Sequence, residues 1–160
     1  MQHNNYSDAY IASILKSTRV IAVVGASTER NRPSYSVMQF LQKRGFRIIP
    51  INPRAAGEIL LGEKVYASMT EVPFAIDMVD VFRKSDAVGP VVEEAIAVKA
   101  KHVWMQLSVR NDDAAKLAEA AGLNVVMDRC SKIEFGRLSG QIGYMGVDTG
   151  IINNSRRRQI

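Results

Sequence analysis

Residues 20–36 change character in their middle, where five apolar residues give way to a small, positively charged turn. Gly25 permits a tight turn and lets the backbone approach a ligand closely, and Ala26 and Ser27 keep that approach open. Amide and hydroxyl groups in such a turn can point at a phosphate beside the start of a helix. Arg30 adds a cation that could fold back over the phosphate. The pattern indicates a turn that binds a phosphorylated ligand.

An ordinary strand-to-helix connection with solvated arginines is the alternative. The turn lacks the second and third glycines of the dinucleotide-binding fingerprint. Arg32 precedes Pro33, and because proline disfavours the helical conformation in the residue before it, we expect Arg32 to be extended and to point outward. Ser34 and Tyr35, at the start of the predicted helix, complete the candidate binding residues of this segment.

The residues after the second predicted strand discriminate among three nucleotides. Sheets that bind NAD usually place an acidic residue here to hold the ribose hydroxyls. This chain has Asn52, Pro53 and Arg54 instead. Asparagine can still bond a ribose or an adenine edge, and arginine would suit an additional phosphate on the ribose, which both NADP and coenzyme A carry. NAD is therefore the least favoured of the three.

Further polar residues follow the third and fourth predicted strands. Phe82, Arg83 and Lys84 place an aromatic ring and two cations at the end of the third strand, where they could contact a nucleotide or simply belong to the core and a solvated loop. Gln106 lies at the end of the fourth strand. A buried polar group there needs a partner, which either a ligand or the backbone could provide.

The sequence shows no pattern typical of catalysis. His3 lies near the N-terminus, and His102 precedes a strand without a patterned carboxylate or serine partner. Cys130, next to Arg129, has no nearby histidine to activate its thiol. Metal-ligand spacings and isolated carboxylate pairs are also missing from the sequence. We therefore predict no catalytic residues and no metal site, and we favour a binding protein over an enzyme.

Alternating strand and helix patterns predict an α/β fold. Short apolar runs begin at Val20, Phe46, Met78, Val103 and Val125, as is typical of strands covered on both faces, and amphipathic segments separate them. Such alternation implies parallel strands with right-handed crossovers. We expect a three-layer Rossmann-like fold with five parallel strands in the order 3-2-1-4-5 and helices on both faces. The loops after the strands should then converge on one crevice, where such sheets bind ligands.

Composition and charge disfavour several classes of protein. No apolar run approaches the roughly 20 residues of a membrane helix, and residues 1–10 lack the basic start and apolar core of a signal peptide. The single cysteine suits a reducing compartment, so we expect a cytoplasmic protein. The net charge is +5, but much of it comes from Arg156, Arg157 and Arg158. Because nucleic-acid binders usually carry a basic stripe on a folded face, this basic tail makes nucleic acid a weak hypothesis.

Four segments together resemble a known family: VIAVVGASTERNRPSYSVMQFLQKRGFRIIPINP, VDVFRKSD, VWMQLSV and VVMDRC. They are similar to the small stand-alone CoA-binding proteins of bacteria and archaea. These proteins look like the N-terminal CoA-binding domain of the succinyl-CoA synthetase α subunit and of ADP-forming acyl-CoA synthetases. The resemblance covers residues 14–138.

The resemblance implies roles for particular residues. Gly25, Ala26 and Ser27 match the phosphate turn, and the Asn52-Pro53 segment matches the one beside the adenosine. Phe82-Arg83 and Gln106-Leu107 match the third and fourth loops of the pocket. Ser108 stands where the family commonly has a glycine, and a side chain there would narrow the crevice.

The leading hypothesis is a non-catalytic or regulatory protein that binds coenzyme A or acyl-CoA, with a protein partner that the sequence does not identify. Because the synthetases phosphorylate a histidine in a second domain without a counterpart in this sequence, synthetase activity is not implied. An NADP-dependent oxidoreductase and a protein-interaction module that has lost the ligand stay open as alternatives. We expect residues 1–138 to form a single domain with an N-terminal helix, and residues 139–160 to form an extension with a basic tail.

Overall fold

The structure is a computed structural model and describes residues 1–144. The helices in this part of the chain are α1 (Asp8–Lys16), α2 (Pro33–Lys43), α3 (Val88–Ala97), α4 (Asp112–Ala120) and α5 (Ser131–Tyr144). The strands are β1 (Val20–Val24), β2 (Arg47–Ile51), β3 (Ile59–Leu60), β4 (Glu63–Lys64), β5 (Met78–Val81), β6 (His102–Met105) and β7 (Asn124–Val126). None of these helices has the length and apolar character needed to cross a bilayer.

Five of the strands form one parallel sheet in the order β2-β1-β5-β6-β7, which confirms the predicted α/β fold class. Within this sheet the third strand along the chain, β5, pairs with β1, in register Ile21 to Met78. The expected order 3-2-1-4-5 instead assigns a third strand to the position beyond β2. That position holds a single parallel bridge between Ile51 and Tyr66, because the chain after β2 turns back on itself in the β3–β4 hairpin.

The two faces of the sheet bury separate apolar cores, as the continuous apolar strands predict. Residues of β1, β5, β6 and β7 alternate between the faces. The side chains on the face covered by α1, α2 and α5 include Ile21, Val23, Met78, Trp104 and Val126. Those on the face covered by α3 and α4 include Ala22, Val24, Val79, Val81, Val103 and Val125. Helices therefore cover both faces, as expected for a three-layer fold.

Two helices begin at residues whose side chains cap them. The Ser7 hydroxyl accepts a hydrogen bond from the Tyr10 amide at 3.1 Å and caps α1. The Asn111 side-chain oxygen accepts one from the Ala114 amide at 2.9 Å and caps α4. Both contacts satisfy amide groups that the first turn of a helix leaves unpaired. They fix where α1 and α4 begin, and so how the chain approaches the sheet.

The last described helix crosses the boundary that we expect at residue 138. α5 continues to Tyr144, and Ile142 is buried in the same core as α1. The described part of the proposed extension therefore packs with the domain. The basic tail at Arg156, Arg157 and Arg158 lies outside the described residues.

Candidate functional site

A cavity of about 840 Å³ opens at the carboxyl ends of β1, β2 and β5. This is the edge at which open parallel sheets bind their ligands. Its walls come from the turn after β1, the start of α2, and the loops after β2 and β5. The lining residues are Gly25, Ala26, Ser27, Thr28, Glu29, Arg32, Pro33, Ser34, Asn52, Pro53, Arg54, Phe82, Arg83, Lys84 and Ala87.

Gly25 is required by the close approach of two loops. Its φ is +88°, and a Cβ atom built on it would lie 2.7 Å from the Phe82 carbonyl oxygen. The amides of Gly25 and Ala26 both donate to the Ile51 carbonyl, at 3.1 and 3.3 Å. These two amides therefore point toward β2, whereas the sequence pattern suggested that they would point at a phosphate.

Hydroxyl groups take the place of those two amides at the cavity wall. The Ser34 Oγ accepts the Ser27 amide at 3.0 Å, and the Ser27 Oγ accepts the Glu29 amide at 3.1 Å. Because each oxygen already accepts an amide, its own O–H is left to donate. Within residues 1–144 neither hydroxyl hydrogen has a protein acceptor. Ser34 is 3% exposed and Ser27 is half-buried, so both side chains are packed into the wall of the cavity.

Asn52 lines the cavity, but its carboxamide bonds to the protein at both ends. Its Nδ2 donates to the Ala26 carbonyl at 2.8 Å, and its Oδ1 accepts the Arg54 amide at 2.9 Å. The side chain thus joins the turn after β1 to the loop after β2. This geometry differs from the direct bond to a ribose or adenine that the sequence suggested.

The cavity wall is strongly positive. Four cationic residues line it, namely Arg32, Arg54, Arg83 and Lys84, with one carboxylate, that of Glu29. The Arg32 Nε lies 3.2 Å from a Glu29 oxygen, and both side chains are about two-thirds exposed. A cluster of this kind is suited to bind several phosphate oxygens.

Arg30 was expected to cover the phosphates and Arg32 to point outward, but the structure places the two side chains the other way round. Arg30 is exposed and does not line the cavity, whereas Arg32 does. Arg32 has the extended backbone that its proline neighbour imposes, with φ −85° and ψ 145°. Tyr35, also a candidate, is packed against the core beneath α2. Thr28 and Glu29 line the wall without having been singled out, although they belong to the same polar run.

Gln106 and Leu107 lie outside this cavity. Gln106 is buried, and its Nε2 contacts Asp80 Oδ1 at 2.6 Å and Ser131 Oγ at 2.7 Å. The Ser131 hydroxyl donates to Asp80 Oδ2 at 2.7 Å and closes a triangle of side chains. Burial raises the pKa of Asp80 to about 7, although the two hydrogen bonds lower it. Leu107 is 60% exposed at the end of β6.

Ser108 shows why a glycine would suit its position. Its φ is +73°, in the left-handed region that glycine adopts most easily. The Ser108 amide donates to Asp128 Oδ1 at 2.7 Å, and Asp128 is itself left-handed, with φ +57°. The loops after β6 and β7 are therefore held together beside the crevice by a strained pair of residues.

The two histidines considered for catalysis have structural partners. His102 is buried between the Ser17 hydroxyl, 2.8 Å from Nε2, and Asn124 Nδ2, 3.2 Å from Nδ1. Burial lowers the pKa of His102 to about 4, so its ring is neutral near pH 7. His3 contacts Glu119 at 2.6 Å, and Cys130 is a half-buried thiol. Across residues 1–144, no three His, Cys, Asp or Glu side chains are grouped as a metal site requires.

Comparisons with known proteins agree with this architecture. A family described as CoA binding domain matches residues 19–136. The uncharacterized protein YneT of Bacillus subtilis is 37% identical over 129 residues, which cover 81% of this chain and 94% of YneT. The solved structure of a hypothetical protein from Pyrococcus horikoshii is similar with a TM-score of 0.81 and 38% identity, over 88% of this chain and 100% of that one.

A weaker match extends to a larger protein. The ADP-forming acetate–CoA ligase II of Archaeoglobus fulgidus is 29% identical over 101 residues. These residues make up 62% of this chain but 15% of the ligase. The similarity to the ligase is therefore confined to one small part of it.

Proposed function

This chain belongs to the CoA-binding domain family, and from that premise we propose that it binds coenzyme A, free or acylated, in the cavity at the ends of β1, β2 and β5. The observation that carries the proposal is the chemistry of the cavity wall. Two hydroxyl donors and four cationic side chains surround a space of about 840 Å³. Coenzyme A presents a diphosphate and a ribose phosphate, which such a wall can bind.

The donor set suggests which residues would hold each part of the ligand. Ser27 and Ser34 direct hydroxyl hydrogens from the turn at the start of α2, where a diphosphate is also favoured by the helix N-terminus. Arg54, which follows β2, is the proposed partner of the ribose phosphate. Arg83 and Lys84 add positive charge from the third loop, and the Phe82 backbone carbonyl lies next to Gly25.

NAD fits this wall less well than a ligand with an additional phosphate. The position at which NAD-binding sheets offer an acidic residue to the ribose is occupied by Asn52, whose carboxamide bonds to Ala26 and Arg54. NADP carries a ribose phosphate and is the competing ligand. A protein-interaction module without a nucleotide remains the other alternative to the proposal.

We propose binding without catalysis because of the titratable groups at this cavity. Of the described residues that line it, Glu29 is the one carboxylate, and its oxygen pairs with Arg32. General acid–base chemistry needs a positioned proton donor or acceptor whose pKa lies near the working pH. Asp80, whose pKa burial raises to about 7, contacts the side chains of Gln106 and Ser131 away from the cavity.

Titration calorimetry at low salt with coenzyme A, dephospho-CoA, NADP and NAD tests the proposal. We expect coenzyme A to bind most tightly, and dephospho-CoA to bind about tenfold or more weakly, since a hydrogen bond to a charged group is lost. NADP binding more tightly than coenzyme A would favour the oxidoreductase. Binding of none of the four would leave the interaction module as the better hypothesis.

Arginine variants locate the site. Arg54→Gln should remove most of the difference between coenzyme A and dephospho-CoA. Arg44→Gln is the matched control, because Arg44 lies over the Phe40 ring at the end of α2 and does not line the cavity. Native mass spectrometry of gently purified protein would identify a retained nucleotide by its mass.

A further inference from the structure

Asn52 is held by the protein through all of its polar groups. Its amide donates to the Tyr66 carbonyl at 2.9 Å, and its carbonyl accepts the Ala55 amide at 3.1 Å. Its side chain adds the contacts to Ala26 and Arg54. One residue thus connects the turn after β1, the loop after β2 and the chain that bridges to the sheet edge.

The two side-chain contacts demand a carboxamide. The contact with the Ala26 carbonyl needs a donor, and the contact with the Arg54 amide needs an acceptor. Asparagine supplies both from one short side chain, whereas an ionised aspartate has acceptors alone. An aspartate in this position would place an oxygen against the Ala26 carbonyl oxygen, about 2.8 Å away. Two acceptors that face each other at this distance repel and leave the carbonyl of Ala26 without its donor.

The groups that Asn52 joins are those that the proposed function uses. Ala26 belongs to the turn that continues into Ser27, and Arg54 belongs to the loop after β2, which also lines the cavity. Their spacing is set by one side chain, because the Asn52 contacts fix Ala26 on one side and the start of the Pro53–Ala55 turn on the other. Binding geometry of this kind depends on residues that hold the contacting groups in place.

We infer that Asn52 is a positioning residue, which sets the phosphate turn and Arg54 at the separation that a nucleotide with a ribose phosphate requires. The inference rests on the proposed function. It also accounts for the absence of an acid at the end of β2. The Asn52 side chain bonds to the protein itself, so Arg54 is left to bind the ribose phosphate of the ligand.

Calorimetry of Asn52 variants with coenzyme A tests the inference. Asn52→Ala should weaken binding about tenfold, and Asn52→Asp should weaken it further, because the acid adds repulsion to the lost donor. Asn52→Ser keeps an acceptor for the Arg54 amide and should fall between wild type and Asn52→Ala, which provides a second variant if alanine destabilises the fold. Asn124→Ala is the control, because Asn124 bonds to His102 on β6 and lies at the other end of the sheet from β2.

A double-mutant cycle separates positioning from direct contact. If Asn52 acts through Arg54, the effect of Asn52→Ala should shrink several-fold in an Arg54→Gln background, whereas a direct ligand contact would give additive losses. Additive losses, or unchanged affinity in Asn52→Ala, would overturn the inference while the proposed function stands. If the wild type itself does not bind coenzyme A, the proposed function fails and this inference fails with it.

Discussion

Asp80 is a buried carboxyl group on β5, and replacing it with asparagine is expected to change how the stability of the protein depends on pH. Burial raises the pKa of Asp80 from the ordinary value of 3.8 to about 7. The folded protein therefore keeps this proton to a higher pH than the unfolded chain does. The free energy of unfolding should fall as the pH rises from about 4 to about 7, and this group should have no further effect above that.

The size of the effect follows from the same pKa values. One proton contributes at most about 1.4 kcal/mol per pH unit to the free energy of unfolding. Over the interval between 3.8 and about 7, this gives an upper limit of about 4 kcal/mol. The ionised carboxylate keeps both hydrogen-bond donors, Gln106 and Ser131, so the charge itself is the source of the cost.

His102 acts in the opposite direction over much of the same interval. Burial lowers the pKa of His102 from 6.5 to about 4. Between these pH values the unfolded chain binds a proton at this residue and the folded protein does not. Its contribution to stability is present above about pH 6.5 and is lost as the pH falls toward about 4. We therefore expect the wild type to show a shallow dependence between these values, because the two slopes offset each other.

Urea denaturation at several pH values between about 4 and about 8 measures these slopes. In Asp80→Asn the pH dependence caused by His102 should remain. The free energy of unfolding should therefore rise with pH more steeply than in the wild type. In His102→Gln the pH dependence caused by Asp80 should remain, so the free energy of unfolding should fall as the pH rises. Asp113→Asn, an exposed carboxylate on α4, is the control. Parallel curves for Asp80→Asn and wild type would show that Asp80 does not carry the raised pKa, and the reasoning would be refuted.

Three further predictions concern the loops around the cavity. Gly25→Ala should cost about 3 kcal/mol in urea denaturation, because φ is +88° and the new Cβ would meet the Phe82 carbonyl at 2.7 Å; an unchanged midpoint would contradict this. Ser108→Gly should stabilise the protein by about 1 kcal/mol, since it relieves a left-handed serine, and a loss of stability would mean that the hydroxyl group makes compensating contacts. Arg32→Ala should weaken coenzyme A binding more than Arg30→Ala does, with an effect that shrinks at high salt; the reverse order would place Arg30 over the phosphates.

The fold class was predictable because the physical signals are local. Short apolar runs separated by amphipathic segments indicate buried parallel strands and covering helices. The position of β5 was harder to predict, because strand order depends on which way the chain turns after β2. The segment containing Gly57 and Gly62 forms a hairpin, and only Tyr66 reaches the sheet beside β2. Nothing in residue periodicity distinguishes such a bridge from a full strand.

The position of a turn after β1 was also predictable, but the groups of that turn that face the cavity were not. Residue types show that Gly25 begins a turn, yet the partners of its amide depend on where Ile51 lies in three dimensions. The Ile51 carbonyl accepts the amides of Gly25 and Ala26, so these two amides do not face the cavity, whereas the hydroxyl groups of Ser27 and Ser34 can donate there. The serines at positions 27 and 34 are seven residues apart, and only the fold brings the Ser27 amide within 3.0 Å of the Ser34 hydroxyl.

This arrangement leads to a last prediction, which tests whether the Ser34 hydroxyl contributes to ligand binding. Ser34→Ala removes one O–H donor and also leaves the Ser27 amide without its acceptor, so coenzyme A binding should weaken by about 1–3 kcal/mol. Ser34→Thr keeps both functions and should largely restore binding. Ser36→Ala is the control, because the Ser36 hydroxyl bonds to the Pro33 carbonyl and does not line the cavity. Equal affinity in Ser34→Ala and wild type, measured by calorimetry, would mean that the ligand is held without the Ser34 hydroxyl.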